Sequence, residues 1–318
     1  MGADHIHRIE KRIAGAYVSA VIEPDAVRAA AAAEDAPNAC TYTRIEDALA
    51  ADAIDAALVA VPGQFHLPVL LPALEAGLPI LCEKPLTPDS ATSLRVLEAE
   101  QRLEKPHIQV GFMRRFDPEY ARLRETIASG EAGELLMLHC AHRNASVPEV
   151  YVQQMLINDS VVHEFDVVPW LAGSRLKSVE VRYSRRNPAA PERLREPILV
   201  LMELEDGMIV DVEMSVNVQF GYQVTTEAVF SRAALRIGDP LADRPGARAE
   251  HASFETRFAE AYDIEVQCWV DAVRRGDLVD GPNAWDGYLV ALACEAGVRA
   301  LSGGVHAVAR PETPSFYA

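Results

Sequence analysis

Residues 55–87 read DAALVAVPGQFHLPVLLPALEAGLPILCEKPLT. The apolar run DAALVAV (55–61) leads into a helical stretch, LPVLLPALEAG, that Gly77 ends, and a second apolar run, LPILCE (78–83), follows. Short, nearly continuous apolar strands on either side of a helix describe a βαβ unit, whose parallel strands are covered on both faces. The alternation continues outward in both directions. Upstream lie a helix from Ala3 to Ile13, a strand AYVSAVI (16–22), a helix over 24–35, a strand near 39–42 and a helix around RIEDALA. Downstream lie a helix DSATSLRVLEAEQRL and a strand HIQVGF (107–112). Strands separated by helices in this order predict a doubly wound α/β domain over residues 1–112.

Beyond residue 112 the pattern changes. ELLMLHCAHR (134–143), LKSVEVRYS (176–184) and PILVLMELEDGMIVDVEMSVNV (197–218) are long strands, the last pair turning at Asp206-Gly207, a hairpin signal. VTTEAVF and AALRI continue the run. Successive strands without intervening helices predict an α+β domain over 113–318 built on an open antiparallel sheet. Helices expected near 117–129, 160–172, 255–275 and 283–302 are assigned to one face of that sheet.

The chain has 318 residues, 49% hydrophobic, with a formal net charge of −17. Such a surface repels nucleic acid and anionic membranes, so neither is expected as a partner. No apolar run approaches membrane-spanning length. The five cysteines, Cys40, Cys82, Cys140, Cys268 and Cys294, form no C-x-x-C pair, which suits free thiols in a reducing cytoplasm.

Three stretches carry chemistry. Gly2 opens the first helix, and Glu23 follows it by 21 residues at the end of a strand. That is the spacing at which an acidic side chain bonds an adenosine ribose 2′-OH and repels a 2′-phosphate; capping the helix that begins at Pro24 is the competing role. Lys84 lies in CEKPLT (82–87) at the carboxyl end of a parallel strand, where open α/β sheets bind ligands. A lysine there can hydrogen-bond a substrate hydroxyl, although most turn lysines are simply solvated. In INDSVVHEFDVVPWLAG (157–173), Asp159 and His163 stand four apart, with Asp166 three further on. On one helix face a carboxylate raises the basicity of an imidazole and orients it, as a general base requires. A helix cap beside a buried structural histidine would use the same residues. A metal would need a third ligand, and His139 and His142, three apart on a strand, point to opposite faces. No metal is therefore assigned.

Taken together, CEKPL, QVGFMRRFD, HCAHRN, VVHEFDVVPWL, FGY (220–222), RFAEAYDIEVQ and GPNAWDGY resemble the Gfo/Idh/MocA family of nicotinamide-dependent sugar and polyol oxidoreductases along essentially the whole chain. GFMRR with HCAHRN is nearest the branch that acts on inositols. The resemblance implies a Rossmann domain followed by an open-sheet domain that mediates assembly to a homo-oligomer, often a tetramer, in the cytoplasm. It implies NAD as cofactor and the oxidation of a cyclic polyol, myo-inositol to scyllo-inosose, as the reaction. Lys84, Asp159 and His163 become the catalytic group. Met113, Arg114, Asn144, Ser160 and Tyr222 line the polyol pocket, and Gly2, Glu23, His66, Glu83 and Lys84 meet the cofactor. Another inositol isomer or an aldose as substrate, or a binding and regulatory role on the same fold, are the alternatives. The chain departs from the family at its start, where the first strand and the first two glycines of G-x-G-x-x-G are missing before Gly2. The expectation is a natural start roughly 12–16 residues earlier, and a sheet interrupted between the strands at 16–22 and 55–61.

Overall fold

A computed structural model describes residues 1–238, 251–277 and 281–318. The chain divides into two compact units. The first comprises Met1–Phe112, Tyr262–Ala291 and Glu312–Ala318, and the second Met113–Ala261 with Leu292–Pro311. A single cut at residue 112 therefore does not separate them, because two later segments rejoin the first unit.

In the first unit α1 (Gly2–Lys11), β1 (Ala20–Ile22), α2 (Ala26–Ala33), β2 (Cys40–Tyr42) and α3 (Ile45–Ala50) precede β3 (Ala57–Val59). Then come α4 (His66–Glu75), β4 (Ile80–Glu83), α5 (Ser90–Glu100) and β5 (Ile108–Gly111). All pairings among these strands are parallel. They form two ladders rather than one, β1–β2 and β3–β4–β5. β1 and β3 share no pairing among the described residues, and between them Ser19 Oγ donates to the Ala53 carbonyl at 2.7 Å. Asp25 and Asp89 accept backbone N–H bonds as the N-caps of α2 and α5, satisfying donors that a helix start leaves open.

The second unit holds α6 (Pro118–Ser129), β6 (Leu135–Arg143), α7 (Val162–Ala172), β7 (Leu176–Tyr183), β8 (Ile198–Leu204), β9 (Ile209–Ser215), β10 (Gln223–Phe230) and β11 (Ala234–Gly238). After α8 (Phe254–Arg257), α9 (Ala259–Arg275) and α10 (Ala284–Ala300) comes β12 (Val305–Ala307), an edge strand that sequence pattern missed. Seven strands pair in the order β11–β10–β6–β9–β8–β7–β12. The sheet is mixed rather than wholly antiparallel, because β6 and β9 run parallel at its centre. The hairpin between β8 and β9 forms as expected, with Gly207 at φ +89° and Asp206 Oδ1 accepting the Met208 N–H at 3.0 Å. One face of β8 is buried through Ile198, Val200, Met202 and Leu204, while Leu199, Leu201 and Glu203 on the other face are only half-buried.

The first unit also contains most of α9. Val266, Trp269 and Val270 pack on Leu81 of β4, with Ile9 and Ile13 of α1 and Leu58 of β3 against the same cluster. The expectation that this helix covers the second sheet is thus corrected: its apolar face belongs to the first unit. The N-terminal half of α10 packs there as well, where a Cβ on Gly287 would lie 2.8 Å from Leu86 Cβ. Gly287→Ala is expected to cost about 1–3 kcal/mol by overpacking, read as a lower urea midpoint. An unchanged midpoint would mean that the helix shifts freely.

Candidate active site

Lys84 leaves the carboxyl end of β4 in a turn that its neighbours hold closely. Thr87 Oγ1 bonds Ser93 Oγ at 2.6 Å and donates to the Asp89 carbonyl at 3.1 Å, tying the turn to the start of α5. His66, fully buried, sets Nδ1 2.8 Å from the Pro85 carbonyl and Nε2 2.8 Å from the Val61 carbonyl. Both ring nitrogens therefore face backbone carbonyls of the β3 and β4 loops, and the single N–H of a neutral ring bonds one of them, so His66 supports the Lys84 turn. Glu83 is 7% exposed, and its two carboxylate oxygens bond His5 Nε2 and the Lys84 N–H inside the unit.

Two features of the first unit suit a dinucleotide. The first turn of α1 has no side-chain cap, and nothing lies within 4 Å of where a Gly2 Cβ would stand. A helix start with open N–H donors and no side chain in the way is the usual seat of a pyrophosphate. Glu23 lies just past β1, accepting Asp25 N–H at 2.9 Å and Arg28 Nη2 at 2.6 Å. The Arg28 bond, then the backbone bond, hold its carboxyl below the ordinary value. Capping of α2 itself falls to Asp25.

Arg28 was not singled out from sequence, and it pairs with the carboxylate expected to choose between the cofactors. With Glu23 present its charge is spent on that carboxylate; if Glu23 meets the ribose as expected, its removal leaves a cation there. Glu23→Ser alone is expected to raise the ratio of kcat/KM with NADP to kcat/KM with NAD by about tenfold or more, through an arginine–phosphate bond. An unchanged ratio would remove Glu23 from cofactor selection.

In the second unit, Leu156–Val161 winds as a π-helical turn before α7, a local irregularity often found at functional sites. Asp159 lies in this turn and is exposed, whereas His163, the second residue of α7, is 8% exposed. Pro169 is accommodated within α7, which Gly173 ends in the left-handed region. Ser160 is buried against Tyr151; since the Tyr151 hydroxyl donates to the Met155 carbonyl at 2.7 Å, Ser160 is the donor in their 2.8 Å bond.

Beside His163 the His142 ring lies 6.2 Å away, centroid to centroid, and Tyr222 meets His142 edge-on at 5.9 Å. Arg114 is buried and pairs with Glu164, and its Nη2 lies 3.1 Å from His142 Nδ1. A guanidinium only donates, so Nδ1 accepts in that contact. Burial alone pushes the Glu164 carboxyl up, but the Arg114 charge, with His142 beside it, outweighs this and holds it below the ordinary 4.5. Burial likewise pushes Tyr222 up, leaving it a neutral phenol. Arg114 therefore spends its charge inside the unit, and Met113 next to it is 1% exposed. Asn144, just past β6, has a buried Oδ1 with no hydrogen-bond partner among the described residues, as does Asn158 in the π-turn. An orphaned buried acceptor is costly unless a ligand or water donates to it.

Glu164, His142 as its neighbour, and Asn158 are the members that sequence reasoning missed. Glu164 stands inside VVHEFD, but only the fold brings it to Arg114, 50 residues away in sequence. The two strand histidines do point apart: His139 pairs with Asp211 on the more exposed face, and His142 is buried.

A Rossmann-type unit with a lysine at a strand's carboxyl end, and an α+β unit with a histidine at the start of a buried helix, define a nucleotide-dependent oxidoreductase of two domains. The chain belongs to the GFO/IDH/MocA oxidoreductases: residues 1–112 match the oxidoreductase family, NAD-binding Rossmann fold, and residues 120–236 the GFO/IDH/MocA C-terminal domain. It is 68% identical over 323 aligned residues to inositol 2-dehydrogenase of Corynebacterium glutamicum, with 100% of this chain and 96% of that protein covered. The enzyme of the same name from Leifsonia xyli is 66% identical, covering 100% and 95%. A solved structure of myo-inositol dehydrogenase from Lactobacillus casei, in complex with NAD(H) and myo-inositol, superposes with a TM-score of 0.93 at 32% identity, covering 100% of this chain and 96% of that one.

Proposed function

We infer that the chain is an NAD-dependent oxidoreductase acting on a ring secondary alcohol, and that it converts myo-inositol to scyllo-inosose. The observation that carries this reading is the 68% identity to an inositol 2-dehydrogenase along the full length of the chain. Gly2 at the start of α1 and Glu23 after β1 would hold the cofactor. When bound, NAD accepts the hydride released from the ring carbon. His163, with Asp159 four residues before it, takes the hydroxyl proton, and Lys84 hydrogen-bonds the same oxygen as negative charge develops on it. Asn144, Ser160 and Tyr222 orient a neutral polyol through hydrogen bonds, with Met113 and the Arg114–Glu164 pair shaping the wall. Discrimination among isomers then rests on hydrogen-bond geometry, which rejects a misplaced hydroxyl because buried polar groups are left unpaired.

The protein works as a homotetramer in the cytoplasm, in inositol catabolism. The outer face of the second sheet suits assembly: exposed Ile209 and half-buried Leu199 and Leu201 lie among the pairs His139–Asp211 and Arg143–Glu213. Sedimentation velocity is expected to show a tetramer, and a monomer would exclude that assignment. Reduction of NAD with a panel of inositol isomers and aldoses tests the reaction. The highest kcat/KM is expected on myo-inositol, with the 2-keto ring as product. Preference for an aldose would change the substrate, and no turnover with any cyclic polyol would overturn the reading.

A further inference from the structure

We infer that His5 is a positioning residue for Lys84, acting through the carboxylate of Glu83. The inference deepens the reading above, since it rests on Lys84 meeting the substrate oxygen. On β4, Leu81 and Glu83 share a face, and Leu81 packs among Val266, Trp269 and Val270 of α9. A carboxylate beside such a cluster is costly unless fully bonded. Glu83 Oε1 lies 2.8 Å from His5 Nε2, and Oε2 accepts the Lys84 N–H at 3.2 Å. Across the ladder its partner is Gly111, where an added Cβ would stand 3.1 Å from Oε2. The carboxylate therefore lies against a bare Cα.

His5 is 2% exposed, and Arg8 Nη1 lies 3.4 Å from its Nδ1. Because the guanidinium can only donate, Nδ1 is the acceptor and the ring proton sits on Nε2, directed at Glu83. Arg8 in turn donates to Asp263 at 2.7 Å and Asp4 at 2.9 Å, and lies 5.1 Å over the Tyr262 ring. A string of hydrogen bonds thus runs from Asp263 through Arg8, His5 and Glu83 to the peptide N–H of Lys84, within one unit. Each link fixes the next. The last sets the peptide plane from which the Lys84 side chain departs, one residue beyond the end of β4. A string that merely fastened α1 to β4 would affect stability and leave turnover alone.

The test uses the full chain with NAD and myo-inositol. His5→Leu is expected to lower kcat by about tenfold to a hundredfold, as small misplacements of a reacting group do, while KM for the polyol and Kd for NAD stay within about twofold. His5→Gln, whose amide nitrogen reaches the Nε2 position, restores kcat; His5→Asn, too short to do so, does not. In a Glu83→Gln background His5→Leu causes no further loss, because the two residues act as one unit. Should His5→Leu fail to fold, the Gln and Asn variants decide alone. Wild-type kcat in folded His5→Leu, or equal kcat in the Gln and Asn variants, overturns the inference. Lys84→Ala is measured alongside: if it retains full turnover, the role of Lys84 falls and this inference with it. Loss of turnover in Lys84→Ala beside unchanged His5→Leu overturns only the role of His5.

Discussion

Replacing His163 by alanine is expected to lower kcat by about 10²–10⁴-fold, the usual contribution of a positioned general base. Abstraction of an alcohol proton has to keep pace with hydride departure, and a neutral imidazole is suited to that near neutral pH. His163 sits at the start of α7 with 8% of its surface exposed, and the His142 ring lies beside it at 6.2 Å. The truncated side chain leaves the first unit untouched, so Kd for NAD is expected to stay within about threefold. Steady-state kinetics with a fluorescence titration of NAD separates the two effects. A kcat within about twofold of wild type would remove His163 from the chemistry, and an equal loss of NAD binding would mark a folding defect.

The second large effect concerns stability. Arg114 and Glu164 are each 1% exposed and pair with one another. Glu164→Ala leaves a buried guanidinium without its counter-charge, and is expected to cost about 3–5 kcal/mol in the second unit. Urea unfolding followed in that unit, through Trp170 fluorescence in a variant lacking the tryptophans at 269 and 285, measures this cost; a loss under about 1 kcal/mol would show that water or His142 compensates. The pair also sets an acid limit. The folded Glu164 carboxyl titrates below its ordinary 4.5, so between the two values the unfolded chain binds more protons. The stabilisation is complete above the unfolded value and is lost as pH falls through the folded one. Glu164→Gln is therefore expected to flatten the loss of stability on acidification, and an acid limb identical to wild type would exclude Glu164 as its source.

Local pattern accounts for most of the elements and for the chemistry-bearing residues. Apolar runs bounded by Gly and Pro mark β3, α4 and β4 in residues 55–87, because burial on both faces of a parallel strand leaves no polar alternation. Asp206-Gly207 marks its hairpin, because a turn at positive φ is a local demand. Lys84 at the end of β4 and His163 at the start of α7 are legible for the same reason: their place within an element follows from its ends. What only the tertiary structure decided is partnership across long separations. The parallel pairing of β6 with β9, the return of α9 to Leu81, and the two ladders in the first unit depend on which surfaces meet, and periodicity is silent on that. The same holds within the site. Arg114 is found beside Glu164, His66 between two backbone carbonyls, and His5 reads as an ordinary helix residue until Glu83, 78 positions away, accepts a hydrogen bond from it. A side chain's type and spacing state what bonds it is able to make. Which bonds it does make depends on what burial places opposite it, because a polar group removed from water has to be satisfied by whatever neighbour the fold supplies.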